Sequence, residues 1–169
     1  MAEKNVTKEQ IEDEENKEFE SFLNDKNKIP LETHTLINTY LCGEIVKHEK
    51  GYVELELQTE QDMVVDSHGL IHGGFIFGAA DFAAMAAVNE KNVVLVASEC
   101  QFLAPVKLGD KVVFKAQVRH QEGRKRNVHV RAYVLEIKVF EGEFMTVITE
   151  RHVLQLKLLQ KEQEAESQS

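Results

Sequence analysis

The stretch Asp66-Ser-His-Gly-Leu-Ile-His72-Gly73-Gly74-Phe75-Ile-Phe-Gly-Ala-Ala-Asp81 decides how the rest of the chain reads. A loop rich in Gly and His runs directly into an Ala-rich segment that predicts a helix over about residues 73–89. His72-Gly73-Gly74 sets flexible backbone and free N–H groups at the helix N-terminus, where a developing negative charge is stabilised. Asp81 falls about two turns inside that helix. Phe77 and Gly78 lie one turn before it, and Ala84 and Met85 one turn after it. A carboxylate on such a face is costly unless it is used or paired.

The spacing has a further consequence. Eight positions separate Gly73 from Asp81, about 12 Å along a helix at ~1.5 Å per residue. A donor to an oxyanion and a base or nucleophile must both lie within about 3 Å of one reacting carbonyl. If both serve one substrate, Asp81 meets Gly73 of a second copy, which implies a two-fold dimer with two shared sites.

Outward from this stretch the period changes to two. Residues 36–47 and 51–58 read as strands joined by a hairpin at His48-Glu49-Lys50-Gly51. After the helix, strands are expected at about 93–103, 110–120, 126–138 and 143–157, with turns at Gly109-Asp110, Glu122-Gly123 and Glu141-Gly142. The order is β-β-α-β-β-β-β. Ala at 79, 80, 83, 84, 86 and 87 lets a sheet wrap closely around the helix. The chain divides into an acidic N-terminal extension over 1–30, a folded domain over 31–158 and a polar tail over 159–169. Ile11, Phe19, Phe22 and Leu23 recur at near-helical spacing, and Thr7 can cap a helix over about 8–24.

Composition narrows the function. At 169 residues and 43% hydrophobic content, the chain makes one ordinary domain with extensions. The net charge of −9 argues against a nucleic-acid or anionic-membrane partner. No run of ~18 apolar residues suggests a transmembrane helix, and the first residues lack the pattern of a signal peptide. Cys42 and Cys100 stand alone without metal-type spacing and read as reduced thiols of a cytoplasmic protein.

Asp-Ser-His-Gly-Leu-Ile-His-Gly-Gly followed by Ala-Ala-Asp81 resembles the signature of hotdog-fold acyl-CoA thioesterases of the phenylacetate-degradation type. Gly69, His72, Gly73, Gly74 and Asp81 fall in register with the family pattern. Leu103-Ala104-Pro105-Val106-Lys107-Leu108-Gly109-Asp110 resembles the family's strand-to-strand corner. The resemblance covers roughly residues 36–156. It implies an α+β hotdog fold, an antiparallel sheet of five or six strands wrapped around one helix. It also implies edge-to-edge pairing into a homodimer or a dimer of dimers. A looser resemblance, over Phe75 to Val113, is to the ligand domain of a bacterial fatty-acid-biosynthesis repressor.

The resemblance implies hydrolysis of a fatty or aromatic acyl-CoA thioester, with the coenzyme A thioester as substrate or ligand and no further cofactor. Asp81 would act as general base or as nucleophile, and sequence leaves both open. Gly73 N–H would polarise the thioester carbonyl. His72 would orient the loop or contact the thioester; Gly74 and Phe75 would complete the substrate wall. At Asp66 the chain departs from the family, which carries an Asn that positions the thioester or the attacking water. Ser98, rather than Glu99, would face the site. The basic cluster Arg119, His120, Arg124, Lys125, Arg126 contrasts with the acidic whole. Arg124, Lys125 and Arg126 could hold the coenzyme A phosphates, or form a solvated turn. Asp66, His68, His72 and Asp81 are poorly placed for a metal, because both His precede the helix with a Gly between them. A non-catalytic acyl-CoA-binding or sensing protein is the alternative. The hydratase signature Asp-x-Asn-Pro-x-His is absent.

Overall fold

Alternation builds the second strand. Tyr52, Glu54 and Glu56 face outward, while Val53, Leu55 and Leu57 are fully buried. The computed structural model describes residue 17 and residues 28–156. The expected N-terminal helix and the polar tail lie outside the described residues, apart from Lys17.

Six strands form one antiparallel sheet: β1 (Glu44–Glu49), β2 (Tyr52–Gln58), β3 (Val93–Phe102), β4 (Lys111–Glu122), β5 (Lys125–Val134) and β6 (Ile137–Ile148). Their spatial order is β1-β2-β4-β5-β6-β3, so β1 and β3 are the two edges. Among the described residues 28–156, a short helix, α1 (Thr39–Cys42), precedes β1, and the central helix α2 (Gly73–Val88) packs across the sheet. Helix α2 buries Ala79, Ala80, Ala83, Ala84, Ala86 and Ala87, while Gly74 stays exposed and Gly78 and Asp81 are half-buried. It packs on Leu55, Leu57, Val112, Phe114, Val128, Val130, Phe140 and Phe144. This is the hotdog fold expected from sequence. No helix among the described residues is long and apolar enough to cross a membrane.

Three expectations are corrected. Residues 36–43 form no strand; the Asn38 side chain accepts hydrogen bonds from Tyr40 N–H at 3.0 Å and Leu41 N–H at 3.4 Å and starts α1 instead. Glu141-Gly142 is no turn but the middle of β6. The turn is Leu135-Glu136, with Leu135 in the left-handed region at φ 53° and 90% exposed. Gly142 serves close approach: a Cβ there would lie 2.7 Å from Cys100 Cβ on β3. The last strand stops at Ile148, and Val153–Gln155 form a short 3₁₀ turn capped by the His152 side chain, which accepts from Leu154 N–H at 3.2 Å.

Asn89 ends α2 in the left-handed conformation, φ 53°, and its N–H donates to Met85 O at 2.8 Å. Its side chain also ties down the strap that leads into α1. Glu32 N–H donates to Asn89 Oδ1 at 2.8 Å, and Asn89 Nδ2 donates to Pro30 O at 2.9 Å.

Candidate functional site

The loop before α2 is built to deliver a helix start at a fixed place. Met63 is fully buried, and its carbonyl accepts from His72 N–H at 2.9 Å. Between them Asp66 shapes a turn. Its Oδ1 accepts from His68 N–H at 2.9 Å and Leu70 N–H at 3.2 Å, and its carbonyl accepts from Gly69 N–H at 3.2 Å. Gly69 supplies the left-handed residue of this turn, at φ 81°. Within one chain, therefore, the exposed Asp66 carboxylate is engaged by its own loop, and His68 is exposed.

His72 is the N-cap residue of α2, but its side chain makes no cap hydrogen bond. The imidazole folds over Gly74, where a Cβ would come within 2.8 Å of Nε2, and meets Phe75 edge-on at 6.1 Å. Gly74 thus makes room for the His72 ring. Gly73 faces Phe102, whose ring would lie 3.2 Å from a Cβ. No hydrogen bond to the Gly73 or Gly74 N–H occurs among the described residues, leaving two donors at the positive end of the helix. Phe102 closes the far end of β3, 55% exposed, and packs edge-on to Phe140 at 5.2 Å.

Asp81 lies two turns along. Its Oδ1 is buried and has no hydrogen-bond partner among the described residues. Burial pushes its carboxyl up to about 6. Burial, and then the nearby Asp81 charge, raise the Cys42 thiol as well. Asp81 opens onto a cleft of about 490 Å³, walled by Thr33, His34, Met85, Lys91, Leu95 and His152 among others. That volume is in the range of small-molecule sites. Gly74, Gly78 and Asp81 share one helix face, at spacings of four and three. Nothing lies within 4 Å of a Cβ built on Gly78.

The two halves of the motif sit at opposite ends of β3. Asp81 shares its cleft with Val93, Val94 and Leu95, where β3 begins. Gly73 rests against Phe102, where β3 ends. Ser98 lies between them, exposed, in register with Phe144, which is fully buried; directly paired side chains share a face, so Ser98 takes the helix side and Glu99, opposite Glu143, the outer side.

The basic turn is largely engaged. Arg124 pairs with Glu150, and Arg126 Nη1 donates to the carbonyls of Gly123 at 2.7 Å and Lys125 at 2.9 Å. Arg119 lies 3.7 Å from Glu143, and His120 lies 4.0 Å from Glu122. Lys125 has no ion pair among the described residues. This turn lies at the Asp81 end of the sheet, since Ile148 N–H donates to Arg124 O and Thr149 N–H to Asn92 O, at 2.9 and 3.0 Å. No group of three potential ligand side chains is arranged for a metal among the described residues. Sequence reading missed His34, His152 and Phe102. His34 carries no local signal, and the segment after it alternates like a strand in sequence although it contains α1.

The thioesterase superfamily model matches residues 68–141. Over 117 residues the chain is 50% identical to the methylthioribose-1-phosphate isomerase of Aquifex aeolicus, covering 69% of this chain and 26% of the isomerase. It is 29% identical over 121 residues to the transcription factor FapR of Thermoanaerobacter sp. (strain X514), covering 71% of this chain and 60% of FapR. The chain thus spans only part of these curated relatives. Among solved structures, the protein PH1136 of Pyrococcus horikoshii is 46% identical with a TM-score of 0.74, covering 75% of this chain and 98% of that one. Two further structures share the fold. PaaI of the E. coli phenylacetic acid degradation operon is 24% identical (TM-score 0.61, 66% of this chain and 83% of that one). A Streptococcus mutans protein bound to acetyl CoA is 23% identical (TM-score 0.62, 70% of this chain and 97% of that one).

Proposed function

Because the chain belongs to the thioesterase superfamily, we propose that it hydrolyses a fatty or aromatic acyl-CoA thioester at a site shared between two copies of itself. One observation carries this reading: Asp81 lines a cleft large enough for a ligand while its buried Oδ1 has no hydrogen-bond partner among the described residues. Such an atom is costly to keep unless something binds it. A protein of the same fold holding acetyl CoA motivates the ligand class.

The shared site follows from the ends of β3. Antiparallel pairing of β3 with the partner's β3 would set the start of one strand against the end of the other. Asp81 of one copy would then approach Gly73 of the partner, across the open face at Gly78. The pairing would also satisfy the backbone of an exposed edge.

In the reaction, a water oxygen attacks the thioester carbonyl carbon while Asp81 takes its proton. The carbonyl oxygen becomes an oxyanion, held by the Gly73 N–H at the helix start. The C–S bond then breaks, and the proton passes from Asp81 to the leaving thiolate, giving acid and coenzyme A. A raised carboxyl suits this role, because a base is best matched near the working pH. Attack by Asp81 itself, through a mixed anhydride, uses the same atoms. Lys125, with Arg124 exchanging Glu150 for phosphate, would meet the coenzyme A phosphates; Arg126 is held by its own turn. Asp81→Asn is expected to lower turnover of palmitoyl-CoA or benzoyl-CoA by at least about 100-fold while binding survives. Unchanged turnover would remove Asp81 from the chemistry.

The non-catalytic reading, an acyl-CoA-binding or sensing protein, draws on the FapR likeness and on Asp66 standing where the thioesterase pattern has Asn. Binding of these thioesters by the wild type without any hydrolysis would establish it.

A further inference from the structure

Behind the Asp81 cleft lies a second one, and a single side chain belongs to both. The second cleft, of about 260 Å³, runs beneath the strap that precedes α1. Its buried and half-buried lining is Leu31, Ile37, Ile45, His48 and Phe82, together with His34. His34 also walls the Asp81 cleft.

His34 is held firmly in this position. Its backbone is left-handed, at φ 54°, a region a non-glycine residue adopts only where its surroundings impose it. Its Nδ1 shares a 2.7 Å hydrogen bond with Thr33 Oγ1. Its ring stacks on Phe82, with centroids 6.3 Å apart and planes 30° from parallel. His34, not Phe82, lines the cleft with Asp81; the Phe82 ring holds it from the second cleft. The strap behind it is tied to the end of α2 through Asn89. Burial lowers the His34 pKa, so the ring is neutral at neutral pH and compatible with an apolar neighbour.

We infer that His34 is a gate between the Asp81 cleft and the apolar cleft, and that the acyl chain of the thioester passes it to lie against Leu31, Ile37, Ile45 and Phe82. The inference rests on the preceding reading in placing the reacting carbonyl at Asp81. The chain is the fitting occupant because the second cleft shares the His34 wall with the cleft that Asp81 lines and is mainly apolar below the strap. His34 then sets how long an acyl group the site accepts; it positions and selects, and takes no part in the proton transfers.

The test is binding of S-alkyl coenzyme A thioethers, from ethyl to hexadecyl, measured by calorimetry on the full chain. Wild type is expected to show a break in affinity with increasing length. His34→Asn, whose short side chain tolerates the left-handed backbone, should move the break to longer chains. Relative to the ethyl thioether, the longest thioethers should gain at least about tenfold in affinity over wild type. Thr33→Val, which frees the ring without removing it, should shift the break in the same direction by less. An unchanged length profile in both variants overturns the gate. So does an equal loss at every length, which marks a structural role, and so does a wild type that binds none of the thioethers. Hydrolysis plays no part in this readout. A wild type that binds thioethers but turns over no thioester removes the hydrolase reading, and the shift between variants still decides the gate.

Discussion

The two edges of the sheet are built on different principles. β1 has six residues, carries Glu44, Lys47 and Glu49, and shifts register between Ile45 and Lys47. A parallel bridge from Lys28 to His48 covers part of it. β3 has ten residues, and Val96 near its middle is 60% exposed. Charges, a bulge and short length are the usual means of blocking edge pairing. β1 combines all three, whereas β3, which also shifts register between Leu95 and Ala97 and carries Glu99, is ten residues long and leaves Val96, Ala97 and Ser98 open. The contrast teaches that the fold closes one edge against other chains and keeps the other available, on the side where Asp81 and Gly73 lie.

The most damaging way to break this comparison is Val96→Lys. A charge there would give β3 the protection that β1 already has. It is expected to turn a dimer into a monomer in sedimentation and to lower turnover about as much as loss of Asp81 does, while the thermal midpoint of the monomer changes little. A charge reversal on β1, such as Lys47→Glu, should leave assembly and turnover alone. Assembly lost through β1 and retained through β3 would invert the reading.

A second contrast lies in the ionisable groups beneath the two edges. His48, on β1, donates from Nε2 to Ala86 O at 2.9 Å, and burial lowers its pKa. Its contribution to stability is present above the unfolded value of about 6.5 and is lost as pH falls through its lower folded value. Asp81 behaves oppositely. Its carboxyl is raised from 3.8 to about 6, so the folded protein binds the proton more tightly than the unfolded chain. Stability therefore falls as pH rises from about 4 to 6, by roughly 2 kcal/mol after allowing for the open cleft. Asp81→Asn should stabilise the isolated protein near pH 7 by a few degrees and lose that advantage below about pH 4. Denaturation at both pH values checks this, and a gain that persists in acid would assign the effect to packing.

The smallest expected effect is at the loop. Asp66→Asn keeps the Oδ1 acceptor for His68 and Leu70, so it should cost under about 0.5 kcal/mol, whereas Asp66→Ala should cost about 1 kcal/mol. If turnover rises clearly in Asp66→Asn, then in the assembled site the carboxylate faces the substrate, and the β3 edge shapes the loop as well.

How much of this was legible depended on whether the signal was local. The helix declared itself through consecutive Ala residues, and β2 through its alternation. Asp81 stood out because an acid among Phe, Gly and Ala contradicts its surroundings. Gly142 misled because a Gly between charged residues looks like a turn, and only Cys100 across the strand explains it. Leu135 misled in the opposite sense, since nothing in Val-Leu-Glu-Ile announces a left-handed residue. Asn38 was a cap hidden inside an apparently alternating run. His34 depends on contacts with Thr33 and Phe82, and the latter is far away in sequence.

Asn89 limits which residues its position can accept over time. Glycine is the common occupant of a left-handed helix end, and it would satisfy the backbone at φ 53°. It would also release Pro30 and Glu32 together. Aspartate could receive the Glu32 N–H but has no amide to give Pro30, and glutamine has the amide but a poor fit to the left-handed backbone. A drift that is neutral at most helix ends is therefore closed here, because one side chain both finishes the helix and moors the strap carrying His34.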